Sequence, residues 1–315
     1  MATNDSTTTI PDPGPEPRAG SPAFGSSTLP PTRLLYWSVL REFWEHRWIY
    51  IVPLIVAAVF LFGFVIGAAR VPLMQMGGSR PVPPMRLPEG ASNFASGVLM
   101  LTYLVVAAIY CLGALHGERS DRSILFWKSL PVSDVTTVIA KASLPLVLLP
   151  LITFAITVGT QVIMLLAGSV VMLARGADAA ALWSRTPLLS MWVALLYHLF
   201  TVHAIYYAPF YGWLLLVSGW ARRATFLWAV LPVLAIIVLE KLVLGTMVFA
   251  HMLVSRLAGG PTAVPFPPPG HMNMAPPTLA NLGAFLASPG LWLGLAVFAA
   301  FLVAAVWLRR RQGPI

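Results

Sequence analysis

Charge and cysteine are both scarce in this chain. Only 10% of its 315 residues are Asp, Glu, Lys or Arg, and the sole cysteine is Cys111, inside an apolar run. One cysteine excludes an intramolecular disulfide and a zinc site of the multi-cysteine kind, which leaves a small buried hydrophobe as its role. HExxH, GxSxG and GxxxxGK are also missing, so the sequence encodes no zinc-protease helix, hydrolase elbow or nucleotide-binding loop. No catalytic constellation replaces them, and an intramembrane enzyme is the weakest of the function classes. Hydrophobic residues, by contrast, make up 58% of the chain, with a mean hydropathy of +0.79, more than one soluble core needs. The composition reads as an all-α integral membrane protein. A net charge of +9 raises nucleic acid as a partner, but the 20 Lys and Arg are spread between the ends of apolar runs and act as topology signals in a lipid bilayer.

Crossing about 30 Å of hydrocarbon takes roughly 20 apolar residues at 1.5 Å each. Six runs qualify: residues 49–68, 94–115, about 138–173, about 188–217, a run starting at Thr225, and 291–308. The third and fourth exceed one perpendicular crossing and carry Pro145, Pro150 and Pro209, which predict kinks. With both termini inside, twelve bases fall on inner segments: Arg33, Arg41, Arg47, Arg119, Arg122, Lys128, Lys141, Arg222, Arg223, Arg309, Arg310 and Arg311. Seven fall outside: Arg70, Arg80, Arg86, Arg175, Arg185, Lys241 and Arg256. The excess puts both termini in the cytoplasm of a cell whose inner membrane the chain spans. Residues 1–31, rich in Thr, Pro, Gly and Ser with no apolar h-region, read as a disordered cytoplasmic tail and not as a signal peptide.

Residues 32–48, TRLLYWSVLREFWEHRW, set Leu35, Val39 and Phe43 at helical spacing opposite Arg41, Glu42, Glu45 and Arg47. That pattern predicts an amphipathic helix in the headgroup layer, aromatics in the acyl boundary and charges in water. His198 and His203 are five apart, about 140° around an α-helix, a poor metal pair, and read as hydrogen-bonded histidines. Glu240, seventeen residues beyond Arg223, lies about 25 Å up its helix, where a local turn or snorkelling explains it better than a transported ion does. The segment about 251–289 is crowded with Pro and Gly yet apolar at Val264, Phe266, Met272, Met274, Leu279, Leu282 and Phe285. It reads as an ordered outer loop with short interfacial helices.

One stretch breaks the apolar pattern between the second and third runs: GERSDRSILFWKSLPVSDVTTVIAKAS, residues 117–143. Glu118, Arg119, Asp121 and Arg122 crowd one turn, and Ile124, Leu125, Phe126 and Trp127 follow as an apolar face suited to a cleft in a soluble partner. The stretch resembles the loop between spans two and three of ABC-2-type permeases, the membrane subunits of ATP-binding-cassette exporters. The layout over about residues 32–311 is similar too: a connecting helix, six spans and a re-entrant segment before the last span. The resemblance implies a type V, ABC-2-like exporter fold with an amphipathic connecting helix (32–48), a six-helix transmembrane domain (49–311), a cytoplasmic coupling loop (117–135) and an outer re-entrant loop (about 251–289).

In that family the loop is the coupling helix, which implies an ATPase-coupling role for Glu118, Arg119, Asp121, Arg122, Phe126, Trp127 and Lys128. It further implies a separate ATPase subunit in two copies carrying the ATP and Mg that this chain does not bind, and a second permease copy or paralogue. Tyr103, Tyr110, Leu227 and Leu234 would line the translocation path by the same analogy. The expected function is export of an amphipathic or hydrophobic substrate such as a lipid, peptide or drug. The alternative is a non-transporting scaffold or mechanotransmitter coupled to an ATPase.

Overall fold

In hydrocarbon the backbone has no water to bond to, so a spanning segment closes its hydrogen bonds internally. Every regular element among the described residues is accordingly helical. The structure is a computed structural model that describes residues 30–70, 87–129, 132–174, 176, 178–257 and 279–311. Nearly all of the expected tail, residues 258–278 of the expected outer loop and the Leu130-Pro131 step lie outside the described residues.

Helix α1 (Pro31–Glu45) opens on a proline, which the first turn tolerates because its N–H would have no partner there. Then come α2 (Trp48–Arg70), α3 (Leu87–Ala114), the short α4 (His116–Ser120) and α5 (Ser123–Ser129). Residues Asp134–Ala174 run as α6 (Asp134–Ser143), a π-turn (Leu144–Leu148) and α7 (Leu149–Ala174). After α8 (Ala180–Arg185), α9 (Leu188–His198) passes into a second π-turn (Leu199–Tyr206), and α10 (Ala208–Trp220) follows. The chain continues with α11 (Thr225–Leu244), α12 (Val248–Leu257), α13 (Leu279–Ala287) and α14 (Pro289–Arg311).

Among the described residues six helical stretches are long and apolar enough to cross a membrane: Trp48–Ala68, Gly90–Ser120, Asp134–Ala174, Leu188–Tyr206, Thr225–Leu244 and Pro289–Arg311. The chain is a multi-pass membrane protein. The fourth apolar stretch stops earlier than its composition suggests, because the helix breaks at Tyr207 before α10 begins. Proline explains the first π-turn. Lacking an N–H, proline cannot complete the α ladder, and the chain at Pro145 widens to bonds five residues long, as from Leu149 N–H to the Leu144 carbonyl.

The core sits where α10 runs along α14 and α3, with α2 and α3 against α7 and α1 laid on α6. Gly212 permits the closest of these approaches, since a Cβ there would come within 2.7 Å of the Phe298 ring. Helices α11 and α12 pack little of their surface, and Ala229 is the one buried residue of α11. Their apolar sides are what a hydrocarbon surround accepts.

Candidate functional site

Three acids and three bases from four helices meet at one end of the bundle. Glu42 on α1 is fully buried; its Oε1 accepts from Lys141 Nζ on α6 at 2.8 Å and from Arg41 at 2.6 Å, and its Oε2 from the Tyr110 hydroxyl on α3 at 3.1 Å. Glu118 on α4 lies 3.0 Å from the same Lys141 Nζ and 3.7 Å from Arg41, and its other oxygen takes a hydrogen bond from Arg309 on α14. Arg309 also donates to Asp134, in the first turn of α6, at 3.0 Å. Burying ions is costly unless each is paired and hydrogen-bonded, and here the six charges sum to zero. Burial alone would raise the Glu42 carboxyl; Lys141 foremost, then Arg41, overcome that and hold it down at about 2.

This cluster adds to the readings of the sequence. Lys141 and Arg309, expected as topology signals at span ends, are also buried and paired. Glu42 does not point to water: α1 turns Ser38 and Glu42 inward toward α6, while Tyr36, Trp37 and Trp44 are exposed. Residues four apart share a helix face, so an acid can lie on the packed side when a base waits there. Glu42, Glu45 and His46 also hold ligand-type atoms within 4.8 Å of one another, but Glu42 is committed to Lys141 and Arg41, whose charges repel a cation.

Helix α4 is tied to the end of α10 as well. The Ser218 hydroxyl accepts from the Leu115 and His116 amides at 3.0 and 2.9 Å, His116 Nδ1 meets the Ala221 carbonyl at 3.1 Å, and Arg119 donates to the Gly219 carbonyl at 2.6 Å. Of the residues expected to couple to an ATPase, Glu118 and Arg119 therefore face into the protein, while Asp121, Arg122 and Phe126 are exposed beside Leu125. Trp127 and Lys128 belong to α5; their side chains lie outside the described set. Arg122 joins α4 to α5 at φ 57, a left-handed conformation that costs a non-glycine residue about 1 kcal/mol.

Of the residues expected on a path, Tyr103 and Tyr110 are fully buried, whereas Leu227 and Leu234 are exposed on α11. Tyr103 supports the two π-turns. The Leu149 amide, which an α-helix would aim at the Pro145 carbonyl, goes to Leu144, and the next amide is missing because residue 150 is proline. The Tyr207 amide likewise bypasses His203 for Val202. The Tyr103 hydroxyl lies 2.6 Å from the Pro145 oxygen and 3.1 Å from that of His203, which also accepts from Tyr211 at 2.7 Å. One face of α3 thus reaches both the charge cluster, through Tyr110, and the two π-turns, through Tyr103.

His203, five residues after His198, bonds back to the His198 carbonyl at 3.3 Å. That bond spans the same five residues as a π-turn rung, and the α-helical angle assumed from the sequence does not apply. At the opposite end of the bundle Glu240 caps α12, accepting from the Val248 and Phe249 amides and from the Thr246 hydroxyl after a left-handed turn at Gly245. The local turn is thus the reading that holds for Glu240. Arg256 on α12 reaches the Tyr206 carbonyl and ring and the Gly290 carbonyl, crossing α14 where Gly294 leaves room. No sequence signal pairs Glu42 with Lys141 or Glu118 with Arg309, which lie 99 and 191 residues apart. No family model, curated protein or solved structure matches this chain.

Proposed function

We propose that this chain is the permease subunit of an ATP-binding-cassette exporter of the ABC-2 type, moving an amphipathic or hydrophobic substrate at the expense of ATP bound by two copies of a separate ATPase. The observation that carries this reading is the pairing of an exposed apolar surface with a rigid anchor. Leu125 and Phe126, 59% and 60% exposed, stand on α5 next to α4, whose Glu118 and Arg119 are tied to α1, α6, α10 and α14. A push on α5 reaches four helices through short polar contacts and is not absorbed by a slack loop. In this reading the charged end is the cytoplasmic face of the inner membrane, the chain works beside a second permease copy, and ATP drives export by binding the closed ATPase dimer preferentially.

The test places a photo-crosslinking amino acid at Phe126 in the full chain, expressed in its own cells. Illumination is expected to yield one dominant adduct with a protein that carries a nucleotide-binding P-loop, and none from the same probe at Leu227. Adducts with lipid alone, or equal yields at both sites, contradict the assignment.

A further inference from the structure

Apart from the neutral cluster, the charged end holds a second group of bases with a different balance. Arg222 and Arg223 form the turn between α10 and α11, both exposed, and neither makes an ion pair among the described residues. Arg119 lies beneath them, its guanidinium fixed on the Gly219 carbonyl and close enough to Arg222 for their charges to repel. Three like charges are crowded here, while a few residues away Glu42, Glu118 and Asp134 are each matched to a base. At the adjoining ends of the two helices, Trp220 and Trp228 stack edge to face at 4.8 Å, and each is 45% exposed. Half-exposed tryptophans at span ends settle at headgroup depth. Guanidinia are planar donors fitted to phosphate oxygens, and juxtamembrane bases attract anionic lipid.

We propose that Arg222 and Arg223, flanked by the Trp220–Trp228 pair, bind the phosphate of an anionic phospholipid headgroup at the charged face. The phosphate supplies the negative charge that the protein itself withholds at this turn, and the indoles hold the lipid backbone beside the α10–α11 junction. Because α4 is bonded to the same junction through Ser218, Gly219 and Ala221, an occupied site braces the loop region from its other side. The inference rests on the arginine turn and the tryptophans and does not require the exporter reading.

The experiment uses the full chain in mild detergent, titrated with phosphatidylglycerol or phosphatidylcholine and followed by thermal unfolding and native mass spectrometry. Phosphatidylglycerol should raise the unfolding temperature by several degrees and be retained through the spectrometer, and Arg222→Gln with Arg223→Gln should remove both effects. Arg222→Lys with Arg223→Lys should keep at least half of the shift, and Arg310→Gln with Arg311→Gln, elsewhere on the same end, should keep all of it. A full shift in the double glutamine variant, an equal loss in the Arg310 and Arg311 control, or an equal shift from inorganic phosphate without lipid overturns the proposal. The wild-type comparison of the two lipids stands alone if a variant fails to fold: equal retention also overturns it.

Discussion

Glu42 shows how much one side chain can decide. A carboxylate buried on α1 is tolerated only because Lys141, Arg41 and Tyr110 converge on it. Its folded pKa of about 2 lies below the ordinary 4.5, so the charged form favours folding. That contribution is fully present above about pH 4.5 and is lost as pH falls toward 2. Glu42→Gln is therefore expected to lower stability near neutral pH by a few kcal/mol, with the difference shrinking as the solution is acidified. Thermal unfolding in detergent from pH 7 down to 2 checks this: converging curves support the paired carboxylate, and parallel curves contradict it. The sequence set Glu42 in a plausible amphipathic pattern with the wrong face inward. Periodicity records which residues share a side of α1, but not that a lysine 99 positions later waits on the packed side.

Among the elements, the two π-turns are the least regular and the most tightly supported. Prolines at 145, 150 and 209 were legible as interruptions. Their outcome was not, because whether proline kinks a helix or widens it depends on what satisfies the freed carbonyls. Here Tyr103 and Tyr211 do so from neighbouring helices, and the packed turn replaces a sharp bend. Tyr103→Phe leaves the Pro145 carbonyl without this donor and should cost about 1–3 kcal/mol. Tyr211→Phe should cost a similar amount, since the single Tyr103 proton is already given to the nearer Pro145 carbonyl. Pro150→Ala restores an amide one rung along the wide ladder, within reach of the Pro145 carbonyl, so the Tyr103→Phe penalty should shrink in that background. A double-mutant cycle on unfolding free energies reads this coupling, and equal penalties in both backgrounds contradict it. Five of the six spans, by contrast, were readable almost to their ends, because length and hydropathy are fixed by the bilayer and need no knowledge of partners; the fourth ends at Tyr206, eleven residues short of the apolar run.

Across the whole molecule, polar contacts form a column inside an apolar bundle. From Arg309 and Asp134 it passes through Glu118, Lys141 and Glu42 to Tyr110, and seven residues along α3 Tyr103 grips both π-turns. At the far end Arg256 on α12 holds the Tyr206 carbonyl that ends the second π-turn. The loop with Glu118 was legible as unusual because its charges interrupt a chain almost without them. That Glu118 and Arg119 point inward was not, since sequence gives the order of charges and not their depth. The proposal that α5 receives force from an ATPase and the cluster passes it on contains two separable steps. Phe126→Ala trims the exposed apolar surface of α5. Lys141→Met removes the direct ion pairs from α6 to Glu42 on α1 and Glu118 on α4, while Arg41 and Arg309 still pair with both carboxylates. The direct measurement is ATPase turnover and co-purification of the chain reconstituted with the proposed ATPase. Phe126→Ala should weaken the association several-fold; Lys141→Met should leave association intact and abolish the dependence of turnover on the permease. Full coupling in the Lys141→Met complex, or association indifferent to Phe126→Ala, contradicts the account.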